Sequence, residues 1–398
     1  MPGDRGLLRV KNGHGHHRVS AVELFFDLVF VFAVTQLSHL LMEHFTPLGA
    51  AETLLLLLAV WWVWVYTAWA TNWLDPEKRP VRFMMLGLMM GGLILAASIP
   101  KAFEARGLAF GFAYAGIQVG RTGFFLWAVR DHDRMTRNFQ RIFAWLAVAA
   151  VFWIAGGFAD GGRRFALWTI GFGLEFISPA LAFWTPGLGR SSTEDWDVEG
   201  GHMAERASLF IIIALGESVL VTGATFSGLD WSTATVAAFV ASFAGSLAMW
   251  WIYFNAAAEA GTQMISASSD PGRIARLSYT YIHLPLVAGI IVGAVADEFV
   301  LAHPTGPAEV KTVIAIVASV ALYLAGHTLF SWSISGRPPI TSLAGIGAAI
   351  ALAFAGGVLS PLALMAGGTA ILIGVAVAET SAVVVGHPTI TRPSADSR

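Results

Sequence analysis

The apolar run from Val19 to Met42 carries two carboxylic acids, Glu23 and Asp27, inside a stretch long enough to cross a bilayer, which takes about 20 residues. Four residues apart, the acids share one face of a helix. Asp27 stands roughly two turns in from Arg18 at the charged end. A carboxylate at that depth costs on the order of 2.5–3.5 kcal/mol on the insertion scale, so it turns toward protein or a water-filled path rather than lipid. The rest of the chain has to supply those surroundings.

Composition agrees. Of 398 residues, 56% are hydrophobic and 13% charged, and mean hydropathy is +0.66; soluble domains carry about 25% charged residues. The chain is therefore expected to be an all-α, polytopic integral membrane protein. Net charge is −2, and no basic tract points to nucleic acid. The absence of cysteine excludes disulfides, thiol catalysis and cysteine metal sites. The first apolar run is too long, and too acidic, for a cleavable signal.

Twelve spans are expected, at 19–42, 50–72, 82–100, 107–129, 141–159, 165–185, 203–226, 233–256, 277–296, 311–333, 340–358 and 361–385. With the N-terminus inside, cytoplasmic segments hold 18 of the 24 lysines and arginines, which sets both termini in the cytoplasm. Residues 1–18 then form a cytoplasmic tail with His14, His16 and His17, read as solvated surface rather than a metal site. Residues 19–185 and 203–386 form two six-helix halves around a polar linker, 186–202, with a second tail at 387–398.

The halves resemble each other. Trp61-Trp62 recurs as Trp250-Trp251, Asp75-Pro76 as Asp270-Pro271, and Ala155-Gly156-Gly157 as Ala355-Gly356-Gly357. Gly120-Arg121-Thr122 recurs as Gly326-His327-Thr328, Glu175 as Glu379, and Asp27 falls opposite Glu217. All offsets lie between 189 and 206. An even number of helices per half keeps the same orientation, so the repeats are parallel, related by an axis along the membrane normal.

The candidate ion or substrate pathway consists of Glu23, Asp27, Arg121, Glu175, Glu217, His327 and Glu379. One reading is a buried ion-pair network, in which Arg121 neutralises one or two carboxylates. The other is a proton or ion pathway, because ionisable groups inside a membrane are functional sites by default. Gly107 with Gly111 and Gly116 with Gly120 have the small-xxx-small spacing of close helix packing. Gly216 beside Glu217 would permit unwinding or a close neighbour, and His283 before Pro285 marks a kink or a structural histidine. Trp69 and Trp73 fit an interfacial belt, whereas Trp61, Trp62, Trp250 and Trp251 should pack deeper. HExxH, GxSxG, Walker A and GxGxxG motifs are absent. No catalytic residue, metal or cofactor is indicated; the partners are membrane lipids and a small solute or ion.

Glu23-Leu24-Phe25-Phe26-Asp27-Leu28-Val29-Phe30, continued through Thr35-Gln36-Leu37-Ser38, resembles the bacterial low temperature requirement protein A family. Leu215-Gly216-Glu217-Ser218-Val219 is similar to that family's second characteristic element. The resemblance runs from about Arg18 to Val385. It implies a polytopic bacterial inner-membrane protein with a link to growth in the cold, and it implies no substrate. Three functions follow from the sequence: a secondary transporter or ion pathway; a membrane enzyme or lipid-interacting protein with paired acids and aromatics in a pocket open to lipid; and a structural or regulatory membrane protein.

Overall fold

The computed structural model describes residues 6–9, 18–192, 198–268 and 270–386. The three tail histidines, part of the linker and the 387–398 tail lie outside the described residues. Fourteen α-helices form the described chain. The first half holds α1 (Ala21–Glu43), α2 (Pro47–Trp73), α3 (Arg79–Ser98), α4 (Gly107–Ala128), α5 (Asp133–Phe158) and α6 (Gly161–Ile177). The second holds α7 (Gly200–Ser227), α8 (Thr233–Ile252), α9 (Ala258–Ala267), α10 (Pro271–Ile274), α11 (His283–Ala302), α12 (Val310–Ser335), α13 (Ile340–Ala353) and α14 (Pro361–Gly386). A π-helical turn, Tyr253–Ala257, joins α8 to α9, and another, Ala275–Tyr281, runs from α10 toward α11.

Each expected span coincides with a helical stretch. Among the described residues, nine stretches are long and apolar enough to cross a bilayer: α1, α2, α3, α5, α7, α8–α9, α10–α11, α12 and α14. Three fall short. α6 has 17 residues and α13 has 14, while α4 is diluted by glycines, Gln118 and Arg121. Length and composition thus support nine of the twelve expected spans among the described residues.

In α1 the two faces differ in role rather than hydropathy. Phe26, Phe30, Ala33 and Leu37 are buried with the two acids, whereas Phe25 and Leu28 are each 57% exposed. Apolar residues on the outside are what lipid contact requires, and a helix hydrophobic all round suits a membrane interior. Along the first half α1 packs on α3, α3 on α4, α4 on α5 and α5 on α6; along the second, α7 packs on α11, α11 on α12, α12 on α13 and α13 on α14.

Several local expectations change. Trp61 and Trp62 are buried, but Trp250 and Trp251 are 41% and 42% exposed on the outer face. Trp69 is buried in the core and Trp73 packs edge-on to Phe125 and Phe139, so neither stands in an exposed belt. The irregularity near His283 is the π-helical turn before it. Pro285 has no N–H to give to the preceding turn. The carbonyl of Thr280 accepts instead from Trp61 Nε1 (2.7 Å), and that of Ser278 lies 2.7 Å from His283 Nδ1. His283 Nε2 is 2.8 Å from the Tyr253 hydroxyl, so both ring nitrogens have structural partners.

The glycine pairs separate. A Cβ on Gly111 would lie 2.5 Å from the Trp153 carbonyl oxygen of α5, and one on Gly107 would strike Arg164, but Gly116 and Gly120 have nothing within 4 Å. α7 runs unbroken past Gly216, which also has no close neighbour. Gly111→Ala should therefore destabilise the protein by about 1–3 kcal/mol through overpacking. Gly116→Ala should be neutral or stabilising by up to about 1 kcal/mol through helix propensity. Unfolding of the two variants in the same detergent checks this.

Candidate functional site

Ser20 caps α1: its hydroxyl accepts from Glu23 N–H, while Glu23 Oε2 accepts from Ser20 N–H (2.9 Å) and Oγ–H (2.8 Å). This reciprocal capping box, readable as Ser-Ala-Val-Glu, places Glu23 in the first turn of α1, where the positive end of the helix favours a carboxylate. Asp27 follows one turn deeper. Both acids are completely buried.

Facing them on α7 are His202 and Arg206, also four residues apart. His202 Nε2 lies 2.9 Å from Glu23 Oε1. Arg206 donates through Nη1 to Glu23 Oε1 (3.1 Å) and through Nη2 to Asp27 Oδ1 (2.6 Å). Glu23 to His202 and Asp27 to Arg206 have the same sequence separation of 179. An equal step on both helices means that α1 and α7 run in the same direction where they meet.

Two more elements close the cluster. The N-terminal segment bridges to the end of α2 through Leu8 and Leu74, with Arg9 N–H donating to Trp73 O. Arg9 then donates through Nη2 to Glu23 Oε2 (3.0 Å) and through Nε to Thr71 O (2.8 Å). A segment expected to be only a polar tail thus supplies a cation to the buried site. From α2, Trp64 Nε1 donates to Asp27 Oδ1 (2.8 Å), and Asn72 holds the start of α7 through Glu199 and His202.

The two acids are not equally satisfied. Glu23 has four side-chain partners, whereas Asp27 places both its bonds on Oδ1. Among the described residues, Asp27 Oδ2 and Arg206 Nε are buried without a hydrogen-bond partner. Such groups are uncommon in folded proteins and costly to leave so.

The other sequence candidates fall elsewhere. Glu175 accepts from Tyr114 Oη (2.8 Å), Gln118 Nε2 (2.8 Å) and Trp153 Nε1 (3.0 Å) among α4, α5 and α6. Arg121 reaches it only through Gln118, donating to Oε1 at 2.6 Å, and otherwise bonds Thr67 and the Val63 carbonyl. The expected direct pairing of Arg121 with a carboxylate is replaced by Arg206, whose position near the start of a span had hidden it among the cytoplasmic charges. In the second half, Glu379 of α14 accepts from Ser342 Oγ (2.8 Å) and Thr341 Oγ1 (3.1 Å), with His327 Nε2 at 3.4 Å. Glu217 is buried on α7 and makes no ion pair among the described residues. The seven candidates therefore do not converge. Asp27 meets α2 at Trp64 and Arg121 meets it one turn on, at Thr67, with no direct bond between the two among the described residues.

An aromatic cleft of about 60 Å³ is lined by Trp62, Tyr66, Trp69 and Trp73 of α2, with Arg121 among its walls. It contains no paired acids, while Glu23 and Asp27 are enclosed away from it.

The family model for bacterial low temperature requirement A protein matches residues 18–377. The chain belongs to that family. It is also similar to an uncharacterised protein of Rhizobium meliloti (strain 1021), 41% identical over 322 residues, which covers 80% of this chain and 78% of the relative. No solved structure matches. In this low temperature requirement A protein, the opening motif supplies one wall of the cluster, Glu23 and Asp27, and the opposite wall comes from residues at the start of α7.

Removing Arg206 leaves two buried carboxylates with a charge deficit. Arg206→Met should cost roughly 3–5 kcal/mol of stability. Adding Asp27→Asn should restore part of this, giving a coupling of about 0.5–3 kcal/mol in a double-mutant cycle measured by unfolding in detergent.

Proposed function

We propose that this protein is a secondary transporter or ion pathway of the bacterial cytoplasmic membrane, with Asp27 as its exchanging carboxylate. The observation that carries the reading is the half-satisfied Asp27–Arg206 pair, buried where the halves meet. Glu23 is the locked member of the cluster, held by Arg9, Arg206, His202 and Ser20. Asp27, with one oxygen unpartnered, is the member able to take and release a proton without dismantling the contact. Glu217 lies eleven residues beyond Arg206, about three helical turns on, and so on the same face of α7. It continues the acidic line across the membrane.

Twelve spans in two parallel six-helix repeats, with both termini in the cytoplasm, complete the proposal. The recurring order of helix packing supports it, as do the parallel run of α1 and α7 and the paired Glu175 and Glu379 environments. The excess of lysine and arginine on one side favours the orientation. The solute or ion reaches the site from water, and lipid meets the exposed apolar faces.

A structural or regulatory role is the second reading, favoured by the dense bonding of Glu23. The two readings separate in proteoliposomes. Gradient-driven proton flux in the wild type should fall at least tenfold in Asp27→Asn and in Glu217→Gln, once all three are shown to fold and insert. A wild type without flux, and with stability lost in Asp27→Asn, would establish the structural role.

A further inference from the structure

Asp297 is a further buried carboxylate, toward the end of α11, and the pathway above does not use it. It accepts from Thr222 Oγ1 of α7 at 3.0 Å. It borders a cavity of about 30 Å³ between α7, α8, α11, α12 and α14, room for roughly one or two water-sized species. Among the described residues, no lysine, arginine or histidine lines that cavity. An unpaired carboxylate there has no protein counter-charge, and an isolated ion in such surroundings is strongly disfavoured.

The hydroxyls around it are arranged as acceptors. Ser319 Oγ donates to Gly289 O (2.9 Å) and Thr369 Oγ1 to Ala241 O (3.0 Å). With their protons turned into the helices, their lone pairs remain for the cavity. Ser242, 2% exposed, lies near the Asp297 carboxylate, and its Oγ has no well-formed hydrogen bond among the described residues. Two glycines keep the space open: a Cβ on Gly293 would come within 2.9 Å of Ser319 Oγ, and one on Gly245 within 3.2 Å of Thr369 Oγ1.

We propose that this cavity binds a dehydrated sodium ion, held by the Asp297 carboxylate and by hydroxyl oxygens led by Ser242. One carboxylate balances one positive charge. Divalent cations recruit more carboxylates or keep their water, and transition metals favour nitrogen or sulfur ligands that the lining lacks. The site lies beyond Glu217 on α7 and stands whether or not the chain transports, because its test reads binding through stability.

The full-length protein in detergent is unfolded thermally while sodium chloride replaces choline chloride at constant ionic strength. A ligand that binds only the folded state raises the midpoint with its concentration. The expected result is a saturable rise, larger for sodium than for potassium, abolished in Asp297→Asn. In Ser242→Ala the half-saturating sodium concentration should move up about tenfold. If Asp297→Asn does not fold, Ser242→Ala and Thr222→Val decide: half-saturation unchanged in both overturns the proposal. No sodium-specific rise in the wild type overturns it too. A midpoint that rises on acidification but ignores sodium would make Asp297 a protonated acid instead.

Discussion

Charge neutralisation away from water is the constraint on which this architecture depends. Glu23 and Asp27 on α1 can enter a membrane only if cations meet them there. Arg206 on α7 does so, with Arg9 brought in by the N-terminal segment and His202 adding a polar contact to Glu23. Because the partners come from two halves of the chain, the contact that neutralises the acids also fixes how the halves meet. The stepwise match, one helical turn on each side, fixes direction and register together. Buried ion pairs are weak evidence for stability but can specify a unique arrangement. Here the specificity lies in α1 against α7.

α2 is the second organising element, because its faces serve different chemistry. Trp64 bonds the Asp27 carboxylate, Trp61 reaches the Thr280 carbonyl beside the π-helical turn, and Thr67 meets Arg121. Trp62, Tyr66, Trp69 and Trp73, spaced by three and four residues, line the aromatic cleft. A helix that touches the cluster, the cleft and the second half at once has little lipid contact, which explains why its tryptophans are buried while Trp250 and Trp251 on α8 are not. The same dipeptide therefore has opposite surroundings in the two halves. Similarity of sequence between them does not carry similarity of burial.

The polar groups of the interior follow one rule with different outcomes. Glu175 and Glu379 are satisfied largely by neutral donors within their own halves. Glu23 is satisfied by cations, and Asp27 only in part. Asp297 has hydroxyls but no cation. Incomplete satisfaction marks where exchange with a mobile ion or proton is cheapest, since no existing bond has to break.

The sequence by itself determined the membrane class, the helical stretches and the family, because each rests on local quantities: hydropathy over about 20 residues, charge at depth, and a long motif in α1. It also singled out Glu23 and Asp27, since a carboxylate in an apolar run stands out wherever it occurs. Their partners were not legible in the same way. Arg206 looks like one more basic residue at a helix end, and Arg9 like part of a tail, until folding brings positions 179 residues apart into contact. Asp297 escaped notice because it lies at the end of a span, where hydropathy tolerates it. The glycine pairs had identical spacing, yet only the placement of α5 decided that Gly111 is crowded and Gly116 is not. Tertiary structure alone decides such matters, because pairing and packing depend on which helix faces come together, and one-dimensional periodicity carries no record of the neighbour.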